Sequence, residues 1–324
     1  MKSEKCAPPR VFTDIPTAIT FPRYGASATE TPCTVLTAWQ TDLQHFPGGE
    51  GALAIRWTRN GRRYFESNRE QFAVDDSAYL IFNGGRAFSS FVESPSVVSC
   101  YCVSYAPDVA EDALRSMVTN EDRLLEDPFG GRYQPVQFFE TTYRHNALVT
   151  PLLRRLEEAV ESQSEPHGWF GEQFRYLIAR MLTSHREVLR EVARLPAARA
   201  ATRLEVYRRT LQARDFMEAS LDRPLTVSEI ASVACFSPFH FLRSFRQVFH
   251  ETPHQYLTRR RIERAQDLLQ HTELSITNVC LDVGFESLGS FSTLFRRHMG
   301  VSPERFRSRR RAASTRTSLV KPYK

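Results

Sequence analysis

A segment of 33 or 34 residues occurs twice in the last third of the chain, and this repeat constrains the fold more than any other feature. The first copy, from Leu225, is LTVSEIASVACFSPFHFLRSFRQVFHETPHQYL, and the second, from Leu274, is LSITNVCLDVGFESLGSFSTLFRRHMGVSPERFR. Matching residues lie 49 apart in the first part of the copies and 50 apart in the rest. Such a repeat indicates one supersecondary unit used twice.

Each copy carries the signals of a helix, a tight turn and a second helix. Thr226, followed by Glu229, predicts a capping box at the start of the first helix, and Ser275 predicts a weaker cap at the matching place. Three further helix starts are predicted where an N-cap residue precedes a proline that needs no hydrogen-bond acceptor. These pairs are Ser237-Pro238, Thr252-Pro253 and Ser302-Pro303.

The residues between and after the helices fit the same unit. Gly284 supplies the positive φ that a tight turn needs, whereas its counterpart Cys235 predicts either a different backbone or strain. Gly300 and its counterpart His250 are suited to ending the second helix of each copy. Apolar residues four apart give each second helix an inward stripe, which we assign to packing. The stripe consists of Phe241, Phe245 and Phe249 in the first copy, and of Phe291 and Phe295 in the second.

These residues resemble the AraC/XylS family of bacterial transcription regulators. The resemblance covers about Glu205 to Arg311 and is strongest from Val283 to Arg307, which is similar to the family's second helix-turn-helix signature. It implies two helix-turn-helix units that enter successive major grooves on one face of DNA, and RNA polymerase as a further partner. A linking helix from Pro253 to about Gln270 would span ~27 Å, and successive major grooves lie about 34 Å apart.

By matching positions, the resemblance implies which side chains face DNA. The first recognition helix would present Phe239, His240, Leu242, Arg243, Arg246 and Gln247. The second would present Leu288, Gly289, Ser290, Ser292 and Thr293. We expect Arg243 to contact a base, because arginine to guanine is the commonest specific pairing. Many relatives carry larger polar side chains at Gly289 and Thr293, so we expect phosphate, methyl or shape contacts from the second helix.

The distribution of charge supports this interpretation independently. Residues 203–324 carry 21 Lys and Arg against 12 Asp and Glu, a net charge of +9, whereas residues 1–202 have a net charge of −3. Arginine runs at 259–261, at Arg296-Arg297 and at 309–311 are suited to phosphate contacts. For the basic tail, residues 312–324, a solvated disordered segment is an equally good interpretation.

Residues 1–140 consist of short alternating runs separated by Gly, Asn and Asp. We predict strands at 34–40, 52–57, 79–83, 87–92 and 97–105, with Asn60-Gly61 as a strong hairpin signal. The pattern predicts an antiparallel β domain, either a sandwich or a small barrel of jelly-roll type. Its position before the helix-turn-helix part resembles that of the cupin-like effector domain of many family members.

Large side chains of this β region allow two interpretations. We expect the aromatic side chains to fill the core rather than line a pocket, and two arginines to be exposed at the surface rather than to meet an anionic ligand. The aromatic residues are Trp39, Trp57, Tyr79 and Phe91, and the arginines are Arg56 and Arg86.

Residues 141–202 predict amphipathic helices, at 148–163 and at 169–195. These helices either mediate dimerisation or cover the β domain, and 195–202 is the expected interdomain linker. The predicted fold is therefore α+β and multidomain. It comprises a cupin-like or jelly-roll-like β domain at 1–140, a helical region at 141–202, a double helix-turn-helix domain at 203–311 and a basic tail at 312–324.

Residue patterns for enzyme chemistry are missing from the sequence. Before the helices the β region has only His45, and one histidine cannot supply the ligand cluster of a metal-dependent cupin enzyme. Cys100 and Cys102 share a strand face, and we interpret them as packing rather than as a redox pair. The other four cysteines form no CxxC pair, and the sequence contains no glycine-rich phosphate loop, GxSxG or HExxH motif. We expect neither a cofactor nor a metal.

These patterns lead to three hypotheses of function. The first is a sequence-specific DNA-binding transcription regulator controlled by a small-molecule effector in the β domain. The second keeps the DNA binding and makes the β domain a ligand-free dimerisation or interaction module. The third is a cupin-like enzyme with a DNA-binding appendage. With no apolar run of membrane-spanning length, no signal-peptide core and six scattered cysteines, we expect a cytoplasmic protein.

Overall fold

The computed structural model describes residues 10–13, 34–119, 135–166, 168–196 and 199–308 of the 324-residue chain. These residues form two compact units that divide between Arg208 and Arg209. The predicted basic tail at 312–324 and the arginine run at 309–311 lie outside the described residues, as do Cys6 and Cys33.

In the first unit, the described strands form a single antiparallel sheet. They are β1 (Arg10–Thr13), β2 (Val35–Gly51), β3 (Ala54–Arg59), β4 (Arg63–Ser67), β5 (Glu70–Val74), β6 (Ala78–Phe82), β7 (Arg86–Ser104) and β8 (Thr141–Arg144). Neighbouring strands follow the order β1-β2-β7-β3-β6-β8, while β4 pairs with both β5 and β7. The sheet is barrel-like and nearly closed, which confirms the predicted antiparallel β domain.

Strands β2 and β7 pair along most of their length, and irregularities in this pairing bend the sheet. The register shifts between Thr41 and Leu43 and again between Phe46 and Gly49. A bulge of this kind adds local twist. Gly48, with a φ of 130°, lies in the second shift, so the segment 47–49 is a bulge inside β2 and not the end of a strand.

Several local predictions in the sheet are wrong. Asn60-Gly61 does not close a hairpin, because β3 and β4 each pair with β7 and not with one another. Segment 87–92 and segment 97–105, except Tyr105, belong to one strand, β7. Strands β1, β4, β5 and β8 are not predicted from the sequence. Charged residues such as Arg63, Glu66 and Glu70 interrupt the alternation that identifies a strand.

Helices α1 (Val109–Val118), α2 (Thr150–Ser162) and α3 (Trp169–Ala193) complete the first unit, and α4 (Ala200–Ala219) begins in it. One face of the sheet packs against α2 and α3, where Ile55 and Trp57 meet Leu153, Leu177 and Met181. The Trp57 indole donates a hydrogen bond of 2.7 Å to the Glu157 carboxylate. These helices therefore cover the sheet, in agreement with one of the two interpretations.

On the opposite sheet face a second group of buried side chains lies inside the barrel. Successive residues of a strand point to opposite faces, so Arg56 lies on the other side of β3 from Ile55 and Trp57. Cys100 and Cys102 are both free and buried in this interior, which confirms that they pack together.

Burial of the large side chains departs from the prediction at three residues. Arg56 is 5% exposed and thus not a surface residue, and Arg86 is half-buried between Glu70 and Glu140. Phe91 is 37% exposed and stacks on Tyr64 instead of filling the core. The core prediction is confirmed for the remaining aromatic residues, which are Trp39, Trp57 and Tyr79.

Past the division, the second unit is helical throughout its described residues. Its helices are the rest of α4, α5 (Val227–Val233), α6 (Pro238–Phe249), α7 (Pro253–His271), α8 (Ile276–Asp282) and α9 (Leu288–Met299), followed by a helical segment at 303–308. The pairs α5–α6 and α8–α9 are the two helix-turn-helix units predicted from the repeat. Helix α7 is the predicted linking helix between them.

Two small cores hold this unit together, and α7 contributes to both. Tyr256 and Leu257 from the start of α7 pack with α4, α5 and α6. Ile262, Ala265 and Leu269 from the rest of α7 pack with α8 and α9. Because one continuous helix belongs to both cores, the two helix-turn-helix units have no flexible joint between them.

Candidate nucleic-acid interface

A polar N-cap begins each helix of the two copies and of the link between them. The caps accept the backbone N–H three residues further on, and they are Thr226, Ser237, Thr252, Ser275 and Ser287. The complete capping box lies at Thr252, where the Gln255 side chain accepts from the Thr252 backbone at 2.9 Å. The box predicted at Thr226 is wrong, because Glu229 pairs with Arg223 at 2.7 Å instead of reaching back.

The turn inside each unit has the same backbone in both copies. Cys235 has a φ of 52° and Gly284 a φ of 79°, so both residues adopt the left-handed conformation. Of the two outcomes predicted for Cys235, the structure therefore shows strain and not a different backbone, and this conformation costs about 1–2 kcal/mol for a residue with a side chain. His250 (φ 58°) and Gly300 (φ 74°) end the second helices alike, as predicted.

Burial of the phenylalanine stripes leaves the opposite face of each recognition helix exposed. Phe241 and Phe245 in α6, like Phe291 and Phe295 in α9, have no exposed surface. The side chains predicted to face DNA from α6 are exposed, except the half-buried Gln247, and they are Phe239, His240, Leu242, Arg243 and Arg246. This face is continuous over two helical turns.

Helix α9 presents the matching face with different chemistry. Its exposed residues are Leu288, Gly289, Ser290, Thr293, Arg296 and Arg297, and Ser292 is half-buried. The small residues lie in its first half, and the two arginines lie in its last turn. The two copies therefore expose the same helix face, with large side chains at the start of α6 and small ones at the start of α9.

Contacts within α6 add detail that spacing alone does not supply. The His240 ring packs against Phe236 of the turn, with 4.6 Å between ring centroids. Phe239 is 77% exposed and Leu242 is 40% exposed. The start of α6 thus combines apolar surface, suited to a thymine methyl group, with the donors of Arg243.

The exposed arginines of the two faces differ sharply from the arginine run at 259–261. Arg243, Arg246, Arg296 and Arg297 pair with no carboxylate among the described residues, which leaves their guanidinium groups available to an anionic partner. Electrostatic contact with phosphates supplies most non-specific affinity for DNA.

The arginines of the run at 259–261 have partners inside the protein, which makes them less suited to the predicted contact with phosphate. Arg259 pairs with Glu251 at 2.6 Å and with Glu263 at 2.8 Å. Arg260 is buried and pairs with Glu218 and Glu263. A run of like charges in sequence therefore does not establish a charged surface.

Arg261 connects the segment after α4 to the turn of the second helix-turn-helix unit. From α7 its Nε donates to the carbonyl of Leu221 at 2.9 Å and its Nη2 to that of Arg223 at 2.5 Å, both after α4. Its guanidinium lies 5.8 Å from the ring centroid of Phe285 in the turn of the second unit. We call this junction the Arg261 latch.

Gly284 completes the latch for a steric reason. A Cβ on this residue would lie 2.3 Å from the Leu221 carbonyl oxygen and 2.8 Å from the Arg261 Nη2. The second unit can approach α4 this closely only because residue 284 has no side chain. Together with the shared helix α7, the latch fixes the distance between α6 and α9.

A buried hydrogen-bonded network joins α4 to α7 next to the first helix-turn-helix unit. The Tyr256 hydroxyl donates to Glu218 at 2.5 Å, and Glu218 also pairs with Arg260. Arg214 pairs with Asp215 at 2.6 Å. Burial, followed by the charge of Glu218, raises the pKa of Tyr256. Buried charges that lose a partner are costly. This network therefore holds α4 and α7 in one arrangement beside the first helix-turn-helix unit.

Two other features are absent from the described residues, a metal-ion cluster and a membrane-spanning helix. No group of three or more His, Cys, Asp and Glu side chains that could hold a metal ion occurs in the part of the chain that the structure describes. Among the same residues, no helix is long and apolar enough to cross a membrane.

The arrangement defines a double helix-turn-helix domain, and comparison with known proteins gives its family. A family model described as a helix-turn-helix domain matches residues 230–309. Regulatory protein SoxS of Salmonella typhimurium is 32% identical over 95 residues, which are 29% of this chain and 89% of that protein. The chain belongs to the AraC/XylS family of transcription regulators.

Larger relatives such as ArgR match about a third of this chain. The transcriptional regulator ArgR of Pseudomonas aeruginosa is 37% identical over 106 residues, 33% of this chain and 32% of ArgR. The chain thus spans about a third of the length of the first such relatives. A crystal structure of the DNA-binding domain of AdpA with a target DNA has a TM-score of 0.32 and 30% identity, covering 32% of this chain and 94% of that one.

Proposed function

We propose that this protein binds specific DNA sequences through α6 and α9, regulates transcription, and responds to a small molecule bound in its first unit. The observation that carries the proposal is the pair of exposed helix faces held at a fixed distance by α7 and the Arg261 latch. Family membership supports the regulatory role. The same observation favours binding to one face of a duplex, because both faces belong to one rigid body.

Direct base contact is assigned to the first helix-turn-helix unit. The N-terminal residues of a recognition helix contact base edges, and on α6 these include Phe239, His240 and Arg243. Arg243 is exposed and carries a forked donor, which pairs with guanine O6 and N7. Arg246 and Gln247, one turn further along, would contact the neighbouring phosphates.

The second helix-turn-helix unit is assigned mainly to contacts with the DNA backbone. Leu288 and Ser290 at the start of α9, and Ser292 and Thr293 after them, reach only a short distance, so they suit methyl and sugar contacts. Arg296 and Arg297 in the last turn suit phosphates.

The partners other than DNA follow from the family and the composition of the first unit. We propose a small-molecule effector inside the barrel, RNA polymerase by family analogy, and a homodimer. A metal or an organic cofactor has no part in the proposal, and the protein is assigned no enzymatic activity. Effector binding would shift the population between arrangements that bind DNA well and poorly.

Footprinting of the full-length chain on DNA selected from a random pool tests the proposal. We expect protection of two major-groove segments about 10 base pairs apart on one face. Arg243→Ala should weaken binding by about 1–3 kcal/mol at fixed salt. Arg259→Ala is the matched control, because that arginine is paired inside the protein, and it should leave the protected bases unchanged. A full chain that selects no sequence from the pool would refute the proposal.

A further inference from the structure

One side chain on the first recognition helix differs from the other phenylalanines of the protein in its exposure. Phe239 is 77% exposed, and the next most exposed phenylalanine of the described residues is Phe91 at 37%. In the described part of the chain the Phe239 ring stacks on no other ring, whereas Phe236 and His240 beside it pack together with 4.6 Å between ring centroids. The whole ring is therefore available to a partner outside the protein.

The position of Phe239 in α6 directs its ring toward the bases. It lies in the first turn of the helix, directly after Pro238. The Ser237 hydroxyl accepts from the His240 backbone N–H at 3.3 Å, which fixes this turn. A helical side chain leans toward the N-terminus of its helix, and the N-terminal residues of a recognition helix contact base edges. The ring therefore lies at the end of α6 that the proposed function places against the bases.

Leu242 and Arg243 form one contiguous surface with Phe239. Residues three and four apart are neighbours on a helix, with about 5–6 Å between their Cβ atoms. Leu242 is 40% exposed, and Arg243 is exposed and pairs with no carboxylate among the described residues. The forked donor of the arginine therefore lies beside two apolar side chains on the same helix face.

The major groove of DNA contains a ligand with the matching combination of groups. Guanine presents the acceptors O6 and N7 to an arginine, and thymine presents a methyl group at C5. Neighbouring base pairs are about 3.4 Å apart along the helix axis, which is less than the distance between side chains one helical turn apart. An arginine on a guanine therefore brings the apolar side chains beside it within reach of the adjacent base pair.

The second recognition helix lacks this surface. Its residues at the three matching positions are small, and they are Gly289, Ser292 and Thr293. Any effect of a base methyl group under α9 is therefore independent of Phe239, which makes the half-site of α9 an internal control.

We propose that Phe239 and Leu242 recognise the C5-methyl group of a pyrimidine in the base pair next to the guanine that Arg243 contacts. Thymine and 5-methylcytosine carry this same group, and cytosine does not. Helix α6 would thus bind a guanine flanked by thymine, accept 5-methylcytosine in its place and discriminate against unmethylated cytosine. Occupancy of such a site would respond to methylation of the DNA. This inference rests on the proposed function, because it names the bases that α6 contacts there.

Base analogues in the selected DNA test the proposal with the full-length protein. The contacted guanine is the one at which 7-deazaguanine, which lacks the N7 acceptor, weakens binding of the unsubstituted protein and not of Arg243→Ala. Each thymine of that half-site is then replaced by deoxyuridine, which removes only the methyl group. At the thymine next to the guanine we expect the Kd at fixed salt to rise about three- to fivefold. At the same position 5-methylcytosine should bind more tightly than cytosine by a similar factor.

Substitutions in the protein connect the methyl effect to these side chains. In Phe239→Ala the loss of affinity on deoxyuridine should disappear, while the loss on 7-deazaguanine persists because Arg243 is intact. Phe239→Leu keeps apolar surface at this position and should retain part of the deoxyuridine effect. The control Val227→Ala removes an exposed apolar side chain from α5 and should leave both effects unchanged.

The possible results separate this inference from the proposed function. If no deoxyuridine in the half-site of α6 changes the Kd, or if Phe239→Ala weakens binding to thymine and deoxyuridine sites equally, the methyl contact is refuted. Equal binding to cytosine and 5-methylcytosine would refute the response to methylation. Specific binding that persists alongside either result overturns only this inference, whereas a full chain that selects no DNA sequence refutes the proposed function as well.

Discussion

The two helix-turn-helix units share a backbone and differ in what they present and what surrounds them. The turn conformation, the caps and the buried phenylalanine pairs coincide, down to the left-handed residues Cys235 and Gly284. The exposed faces diverge, because Arg243 in α6 corresponds to Thr293 in α9. The comparison shows that one scaffold can be duplicated while its surface and its neighbours change independently.

The units also differ in their position relative to α4. Gly284 lies against the Leu221 carbonyl and Arg261, whereas Cys235 retains a side chain in the equivalent turn. The same left-handed backbone is therefore a steric requirement in the second unit and a tolerated strain in the first.

The largest effect is expected for Gly284→Ala. The added Cβ would meet the Leu221 carbonyl at 2.3 Å, and the substitution also places a side chain in the left-handed region. Together these costs should lower the free energy of unfolding by roughly 3 kcal/mol, measured by urea denaturation. Gly300→Ala is the control, since φ is 74° and no atom lies within 4 Å of its Cβ, and it should cost only about 1–2 kcal/mol. Equal losses at the two positions would contradict a steric role for Gly284.

Loss of the Arg261 latch should separate the two units in function. Arg261→Met removes the donors to Leu221 and Arg223 and keeps much of the side-chain volume. Ordering the two recognition helices would then oppose binding, and affinity for a two-groove site should fall by about 1–2 kcal/mol.

A DNA site with one groove altered distinguishes the latch from a general loss of stability. The latch variant should lose less affinity than the unsubstituted protein when the half-site of α9 is scrambled. The control Arg264→Met removes a half-buried pair with Asp267 on the same helix and should leave the ratio of the two affinities unchanged. The same change of ratio in both variants would refute a specific role for Arg261.

The second recognition helix should depend on charge more than on base identity. Arg297→Ala should weaken binding similarly across DNA sequences and reduce the salt dependence by about one counter-ion. Thr293→Ala should change affinity by less than about 1 kcal/mol, because a short hydroxyl side chain contributes little direct base contact. Binding measured over a salt series distinguishes the two variants. A strong change in base preference on Thr293→Ala would show that α9 contacts bases after all.

The smallest effect is expected at the turn of the first helix-turn-helix unit. Cys235→Gly should relieve the cost of the left-handed backbone, partly offset by the greater flexibility of glycine in the unfolded chain. We expect a gain in unfolding free energy below about 1 kcal/mol, measured by denaturation under reducing conditions. Cys235→Ala keeps a Cβ and serves as the control, which should show no gain. A loss of stability in the glycine variant would mean that the thiol makes a compensating contact.

Sequence alone predicts the second compact unit, which begins at Arg209, well because its signals are local. Ser-Pro and Thr-Pro caps, four-residue spacing of phenylalanines and the residue after each helix all act within a few positions of one another. The sequence could not assign the capping box to Thr252 rather than Thr226, because the side chain of Glu229 is taken by Arg223, a competition set by the fold.

The first compact unit, which ends at Arg208, shows where local signals fail. Asn60-Gly61 predicts a hairpin, but the pairing of β3 and β4 with β7 depends on distant residues. The buried state of Arg56 is likewise invisible in the sequence, because an arginine in an alternating strand is normally assigned to the solvent side. For the arginines at 259–261, only the positions of Glu218, Glu251 and Glu263 in space decide between an internal network and a DNA-facing surface.

Helix α7, which belongs to both cores, requires bound DNA to adapt its shape to the protein. Since the protein cannot adjust the gap between its two probes, any mismatch with the helical repeat must be absorbed by bending or twisting the duplex. Base steps that deform readily, such as TA or CA, should therefore be favoured midway between the contacted segments, although no side chain touches them.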